Sequence, residues 1–293
     1  MGQTQLNEII ENVVLAESIN RYRVAAPKIA ARRKAGQFVI VRIDEYGERI
    51  PLTIADADPE RGTITLVVQA VGKSTAQMAT LRPGDRLLDV VGPLGAPTHI
   101  ERVGTVAVVA GGIGIAPAHP IAQAFRAAGN TVIAILGARS KDLMIMEDEM
   151  RQAADEVLAC TDDGSYGCPG LVTHVLADLI ATRGKPDQVF AVGPVPMMKY
   201  VSLLTREHGI PTMVSLNPIM MDGTGMCGGC RVTIGGHTKF ACVEGPDFDG
   251  HLVDFDELIQ RQAFYKEQER AAFERYQERC RSREQLAQAN PSS

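Results

Sequence analysis

The sequence predicts a chain of the α/β plus β-barrel class, with an antiparallel barrel first, a parallel-sheet α/β domain second, and a cysteine-bearing loop and a long helix last. Three observations carry this. Short alternating apolar runs fill the first third, continuous apolar runs separated by helical stretches follow from Thr105, and three of the six cysteines crowd into residues 227–242. The length of 293 residues exceeds that of a usual single domain and suits two moderate domains with an appendage. At 45% hydrophobic and 22% charged residues, the composition is ordinary globular usage and allows a core in each part.

The barrel is expected within residues 1–98. From about Ile9 to Leu94 the apolar residues alternate with polar ones in runs such as Gln37–Ile43 and Thr63–Val68, punctuated by Gly and Pro, which is the pattern of half-buried antiparallel strands. The segment Arg49-Ile50-Pro51-Leu52-Thr53 closes one strand, and Val71-Gly72-Lys73-Ser74-Thr75 ends another. The second contains the Gly-Lys-Ser-Thr of a phosphate-binding P-loop, but the glycine required five residues before Gly72 is Val67, and a barrel strand is the wrong element to precede one. A basic residue with hydroxyls and a glycine turn still suits the pyrophosphate of another dinucleotide, which leaves flavin as the candidate.

Residues 99–216 read as the α/β domain. The run Val106–Ala110, the helical stretch Pro117–Ala128 and the run Thr131–Leu136 are a buried strand, a crossover helix and a parallel strand. Between the first two lies Gly111-Gly112-Ile113-Gly114-Ile115-Ala116-Pro117, a Gly-rich turn that presents amides at a helix start and lets backbone approach a pyrophosphate, as in Rossmann-like folds. The match to G-x-G-x-x-G is imperfect. Two more segments point the same way: Thr161-Asp162-Asp163-Gly164-Ser165-Tyr166-Gly167 and Val192-Gly193-Pro194-Val195-Pro196-Met197-Met198 each follow an apolar run and precede a helical one, as cleft-forming loops do. The alternative makes Met197 and Met198 plain core and Asp162 and Asp163 plain turn residues. The stretch Val103–Phe125 lacks Asp, Glu, Lys and Arg over a length that fits a membrane span, yet its glycines and prolines fit strand, turn and helix better, so no span is expected.

Residues 217–252 hold the sharpest motif. Asp222, Cys227, Cys230 and Cys242 stand in the spacing D-x4-C-x2-C-x11-C. Plant-type [2Fe–2S] proteins use C-x4-C-x2-C with a distant fourth Cys, and this chain matches with Asp at the first position. Gly223, Gly225, Gly228 and Gly229 allow the loop to wrap closely around such a group. A structural zinc site would want a second C-x2-C knuckle or added His ligands; only His237 offers itself, so iron–sulfur is the preferred reading. A lone Asp in a Gly-rich turn is also a common turn residue. The remaining residues, 253–293, are rich in charge and Gln from Asp256 to Gln288 and predict one long exposed helix with an incomplete apolar stripe.

A net charge of -5 offers no broad basic field, so nucleic acid is not an expected partner. The N-terminal residues lack a secretory pattern, which makes the cytoplasm the expected compartment and clustered cysteines a sign of metal rather than of disulfides. Cys160, Cys168 and Cys280 are scattered and take no assigned role.

With these residues assembled, the chain resembles the ferredoxin reductase-like flavoproteins, and within them the branch with a C-terminal [2Fe–2S] loop formed by the small (alpha) subunits of NADH-dependent reduced ferredoxin:NADP oxidoreductases, also called sulfide dehydrogenase beta subunits. The likeness covers about Ile9 to Asp254, with the motifs from Arg49 through Cys242 in the family's order. Dihydroorotate dehydrogenase electron-transfer subunits are similar in layout but begin the cluster loop with Cys where this chain has Asp222, the residue the bifurcating alpha subunits carry.

The resemblance implies FAD held by Arg49, Pro51, Leu52 and Thr53 beside the flavin ring and by Gly72, Lys73, Ser74 and Thr75 at the pyrophosphate. It implies NAD(H) held by Gly111, Gly112, Gly114, Ala116, Pro117, Asp162, Asp163, Gly164, Gly193, Pro194, Met197 and Met198. Arg139 and Lys141 suit a 2′-phosphate, so NADP(H) stays open. Hydride would pass between NAD(H) and FAD, and single electrons through a [2Fe–2S] cluster on Asp222, Cys227, Cys230 and Cys242 to a larger iron–sulfur flavoprotein subunit that exchanges electrons with NADP(H) and ferredoxin, in an electron-bifurcating heterodimer. No acid, base or nucleophile from the chain is required. The alternatives are an electron-transfer subunit of dihydroorotate dehydrogenase, of a glutamate synthase-like enzyme or of a hydrogenase, and, in another class, a non-catalytic assembly subunit.

Overall fold

A computed structural model describes residues 5–289. The first part is built from β1 (Ile9–Ala16), β2 (Ile19–Ala25), the short α1 (Pro27–Ala30), β3 (Phe38–Arg42), β4 (Ile50–Asp58), β5 (Thr63–Gln69), α2 (Lys73–Ala79) and β6 (Asp89–Leu94). Its strands form one six-stranded antiparallel sheet in the order β1-β2-β5-β4-β3-β6, an open barrel whose edges β1 and β6 are not paired as strands. The alternation predicts which side chains close it: Tyr22, Val24, Val39, Val41, Ile54, Ile64 and Leu66 are buried together. Tyr22 also ties down α2, because its phenol donates to the Met78 carbonyl at 3.0 Å, and burial pushes its pKa up to about 12.

The second part runs β7 (Thr105–Gly111), α3 (Ile115–Ala127), β8 (Thr131–Ala138), α4 (Glu147–Ala153), β9 (Glu156–Thr161), β10 (Cys168–Pro169), α5 (Val172–Arg183), β11 (Gln188–Val192), α6 (Val195–Glu207) and β12 (Thr212–Ser215). These strands are parallel and, with one later strand, β15 (Asp247–Asp249), form a seven-stranded sheet in the order β10-β9-β8-β7-β11-β12-β15. Continuous apolar runs mark strands covered on both faces, and residues Val106 to Ala110 have no exposure. The stretch Val103–Phe125 is a strand, a turn and a helix, and among the described residues no helix is long and apolar enough to cross a membrane.

The cysteine-rich segment folds as a hairpin of β13 (Arg231–Ile234) and β14 (His237–Phe240), then the short α7 (Ala241–Glu244) and β15 (Asp247–Asp249). β15 returns to the large sheet and pairs antiparallel with β12, so the segment is anchored at both ends rather than only by its loop. Beyond it, the single long helix expected from Asp256 to Gln288 is two helices, α8 (Phe255–Ala263) and α9 (Lys266–Ala289). α8 is held down by buried Phe255 and Leu258, by Asp254 capping the Glu257 amide at 2.9 Å, and by Gln262, which donates to the Asn217 carbonyl at 2.8 Å. α9 follows after Phe264 and Tyr265 and passes against α2.

Candidate functional site

Strands β7, β8 and β9 run to one side of the sheet and β11 and β12 to the other, so the order reverses between β7 and β11. The loops leaving β7 and β11 diverge there and open a crevice at the strand C-termini. The barrel faces this crevice, and together they enclose a cleft of about 1330 Å³. That exceeds the usual volume of a site for one small ligand, roughly 300–1,000 Å³, and suits a flavin and a nicotinamide nucleotide side by side.

The structure brings most of the predicted residues to this cleft: Pro51, Leu52, Thr53 and Thr75 from the barrel, Gly111, Gly112, Gly114, Ala116 and Pro117 from the turn after β7, and Arg139, Asp162, Gly193, Pro194 and Met197 from the other strand ends. The segment Arg49–Thr53 opens β4 rather than closing a strand. Its residues Ile50 to Thr53 pair with β3 alone, since pairing with β5 begins at Ile54. Pro51 is therefore tolerated, because no β5 strand is left without a partner there. Pro51 to Thr53 from this stretch and Val67 to Gln69 from β5 both line the cleft.

Close backbone approach is built into the turn. A Cβ on Gly114 would lie 2.4 Å from the Val192 carbonyl oxygen, so only glycine lets the β7 and β11 turns meet at the floor of the cleft. Cradles of this kind fit a pyrophosphate, which is bound by amides rather than by side chains.

Other predicted residues lie off the cleft wall. Met198 is fully buried in the core while Met197 lines the cleft, because neighbours on a helix point about 100° apart and only one of the pair can face the ligand. Asp163 is a turn residue, its Oδ1 accepting from the Ser165 amide at 2.9 Å and hydroxyl at 2.6 Å, and Gly164 sits in the same turn with φ +71°. Around α2 the hydroxyls are already engaged. Ser74 donates to Glu48 at 2.5 Å, and the Thr75 oxygen accepts from the Val71 and Gly72 amides, both at 3.0 Å. Gly72 and Lys73 stand at the start of α2 and Arg49 is exposed just before β4. The Ser74 and Thr75 hydroxyls therefore serve the local fold first.

Residues that the motifs had not marked also line the cleft, among them Leu171 to His174 at the start of α5, Tyr200 on α6, Ser215 to Pro218 at the end of β12, and Met220. Asn217-Pro218 was legible in principle, since it exits a parallel strand as the other loops do. His174 carried no motif; its Nδ1 accepts from the Leu171 amide at 3.3 Å and caps α5.

The Ser215–Met220 segment leads straight into the cluster loop. Gly223 packs on the barrel, where an added Cβ would meet Leu94 at 2.7 Å and Ile40 at 3.0 Å. Asp222 accepts from the Thr224 amide at 2.8 Å and the Cys227 amide at 2.7 Å, and these donors hold its carboxyl below the ordinary aspartate range. Cys230 and Cys242 are buried against each other, and the Cys242 amide donates to the Cys230 sulfur at 3.4 Å. Burial first, then Cys230, pushes the Cys242 thiol up to about 12, and the Asp222 charge adds to that rise. Cys227 is exposed on the outer side, where its sulfur accepts from the Gly229 amide at 3.4 Å.

Among the described residues no group of three His, Cys, Asp or Glu side chains is gathered to hold one metal ion. Amides are turned toward two of the candidate sulfurs, the Gly229 amide toward Cys227 and the Cys242 amide toward Cys230. That donor set fits a binuclear cluster, whose ligands are shared between two irons and whose sulfurs take hydrogen bonds from the wrapped loop.

Comparison with known proteins agrees with this geometry. Residues 217–254 match the family described as the iron–sulfur cluster binding domain of dihydroorotate dehydrogenase B, and residues 108–203 match the oxidoreductase NAD-binding domain. A protein of Thermotoga maritima named dihydroorotate dehydrogenase B (NAD(+)), electron transfer subunit homolog is 51% identical over 276 residues, covering 94% of this chain and 97% of that one. The electron transfer subunit of dihydroorotate dehydrogenase B (NAD(+)) from Desulforamulus reducens is 37% identical over 236 residues, 78% of this chain and 89% of its own. Among solved structures, a chain from the NADH-dependent reduced ferredoxin-NADP oxidoreductase, described for flavin-based electron bifurcation, superposes with a TM-score of 0.90 at 50% identity over 94% of this chain and 99% of that one. The ferredoxin reductase of carbazole 1,9a-dioxygenase, at 20% identity and a TM-score of 0.58, covers 70% of this chain and 65% of its own and shows the shared fold. The chain thus belongs to the family of dihydroorotate dehydrogenase B-type electron-transfer subunits, oxidoreductase subunits that join an NAD-binding domain and an iron–sulfur cluster-binding domain on a ferredoxin reductase-like fold.

Proposed function

We propose that this chain passes hydride between NAD(H) and FAD in the cleft and relays single electrons through a [2Fe–2S] cluster to a larger iron–sulfur flavoprotein subunit, in a complex that bifurcates electrons between ferredoxin and NADP(H). One observation supports this above the others: the cleft wall Ser215–Met220 continues into Asp222 and the cluster loop, so a nucleotide cleft and a thiolate cluster site share one short segment. The solved oxidoreductase with a TM-score of 0.90 supports the bifurcating assignment.

Bound FAD supplies the conversion of a two-electron hydride into single electrons, chemistry that belongs to the cofactor. The chain's own residues bind, orient and enclose. Backbone at Gly111 to Gly114 and at Gly193 would hold the dinucleotide, and Met197, which lines the cleft, would give it an apolar wall that excludes water. Pro51 to Thr53, which line the cleft, would hold the flavin ring together with Arg49 just before them, and Lys73 would supply positive charge at the pyrophosphate. Asp222, Cys227, Cys230 and Cys242 would hold the cluster, the Asp222 carboxylate entering already ionised.

The names of the curated relatives favour a second reading, in which the partner is a dihydroorotate dehydrogenase. Anaerobic visible and EPR spectra of the purified chain before and after NADH test the first step. Flavin bleaching with a [2Fe–2S] signal on reduction is expected; a colourless protein carrying zinc and no flavin would overturn both readings. Co-purification of the native partner separates them: a multi-cluster flavoprotein that reduces NADP against one that oxidises dihydroorotate.

A further inference from the structure

Cys160 and Cys168 take no part in the cleft or the cluster, yet the sheet places them together. Cys160 lies in β9 and Cys168 in the edge strand β10, and they are direct partners in the parallel register. Neighbouring strands lie about 4.8 Å apart, inside the roughly 4.4–6.8 Å between Cα atoms that a disulfide spans. Laterally paired residues of parallel strands project to the same face. For Cys160 that face is the one toward Gly137 and Val172, since a Cβ built on Gly137 would lie 3.5 Å from the Cys160 sulfur and 2.4 Å from Val172.

The two thiols differ in access: Cys160 is fully buried and Cys168 is exposed, and both are free. Burial, with the Cys168 and Asp162 charges adding to it, pushes the Cys160 thiol up to about 11. A disulfide wants Cβ atoms about 3.8 Å apart, so β10 must draw in slightly. It is the element suited to do so, a two-residue edge strand set between Gly167 at φ +63° and Gly170 at φ +112°.

We propose that Cys160 and Cys168 form a dithiol–disulfide couple, a redox modification site that clamps the Asp162–Gly167 loop beside the nucleotide cleft. The oxidant is a low-molecular-weight disulfide. The Cys168 thiolate attacks one of its sulfurs, forming a mixed disulfide and releasing one small thiolate. Cys160 then loses its proton to solvent and attacks the Cys168 sulfur, closing the protein disulfide and releasing the second small thiolate. Two protein thiols are oxidised and one small disulfide is reduced to two thiols. The loop is the relevant target: Asp162 lines the cleft, the Asp162 amide donates to the Ala138 carbonyl at 3.0 Å and the Asp163 amide to Arg139 at 3.2 Å, so β10 pulls on both sides of the nucleotide wall.

The test treats anaerobically purified holoprotein with oxidised glutathione, then maps the thiols by mass spectrometry after cleavage at Tyr166, which separates the two cysteines onto different peptides. Peptides joined through Cys160 and Cys168, with no glutathione retained on either, are expected, and closure should speed up about tenfold per pH unit between pH 7 and 9, as the buried thiol ionises. Cys160→Ser should stop at glutathione on Cys168, and Cys168→Ser should leave Cys160 unmodified. Glutathione persisting on Cys168 in the wild-type chain, or no reaction at either thiol, would overturn the couple. The effect on the cleft rests on the reading of that cleft as the nucleotide site and is measured separately: NADH dissociation constants should rise at least threefold in the linked form, recover with dithiothreitol, and not move in Cys168→Ser. Linked protein with unchanged NADH affinity would refute the clamp while leaving the nucleotide reading standing.

Discussion

Gly114→Ala isolates the close approach at the cleft floor. Gly114 has φ −61° and ψ −13°, values any residue adopts, so its backbone asks for no glycine. The whole effect comes from the methyl group, which would lie 2.4 Å from the Val192 carbonyl oxygen and 2.8 Å from the Gly193 Cα, atoms of backbone that no rotamer change can move aside. Overpacking of this kind costs about 1–3 kcal/mol, and at about 2–4 °C per kcal/mol for a chain of this size the melting temperature should fall by about 2–12 °C. The clash is relieved only by parting the β7 and β11 turns, which are the two walls proposed to hold the nucleotide. If half of that strain, about 1 kcal/mol, is relieved in a form that no longer matches NADH, the dissociation constant rises about fivefold. Gly84→Ala in the barrel is the control: φ is +94° with open space around an added Cβ, so it should cost about 1–2 kcal/mol from backbone strain alone. Thermal unfolding and NADH titration of both variants are the assays. NADH affinity of Gly114→Ala within twofold of the wild type, despite a lowered melting temperature, would refute the link between this contact and the nucleotide site.

Asp222→Asn keeps a turn-forming oxygen and removes the charge, so a ligand role predicts iron content falling well below two per chain, whereas full iron with an unchanged visible spectrum would reduce Asp222 to a turn residue. Asp247 pairs its Oδ2 with the Thr98 hydroxyl at 2.6 Å while its Oδ1 is sealed from solvent without a hydrogen-bond partner among the described residues, and burial raises its pKa to about 6. The folded chain therefore holds that proton more tightly than the unfolded one, and the stability this contributes is present below about pH 4 and lost as pH rises through about 6, to an extent of about 3 kcal/mol. Asp247→Asn should stabilise the protein at pH 7.5 and flatten denaturant stability between pH 4 and 7; an unchanged slope would count against the buried carboxyl as its source. Met198→Ala should cost about 2–5 kcal/mol of stability as a core truncation, while Met197→Ala should leave stability nearly intact and weaken NADH binding, and equal effects from the two would contradict their opposite facing.

How much of this could be read in the sequence follows from what each feature demands of its residues. The barrel and the parallel sheet were legible because strand period and two-sided burial leave direct marks, as in Thr63–Gln69 and Val106–Ala110. The glycine turns at the strand ends were legible because close backbone approach excludes most side chains, so Gly114 and Gly193 stand out. The barrel's own contribution was harder. Pro51 reads as the end of a strand, and only pairing shows that it begins β4 on a stretch bordered by β3 alone. The break between α8 and α9 was invisible because Gln262 reaching Asn217 and Leu258 reaching the core are long-range contacts with no local signature. The cleft walls at Leu171, Tyr200 and Ser215 are ordinary residues collected by topology, and no spacing rule could gather them. The same holds for Cys160 and Cys168: the seven residues between them look like any loop, and the register of β9 with β10 is what turns two scattered thiols into neighbours. Backbone approach is therefore written into glycines that a reader can find, while side-chain neighbourhoods that cross elements become readable only once the sheet order is known, which is why the glycine turns preceded the structure and the thiol pair did not.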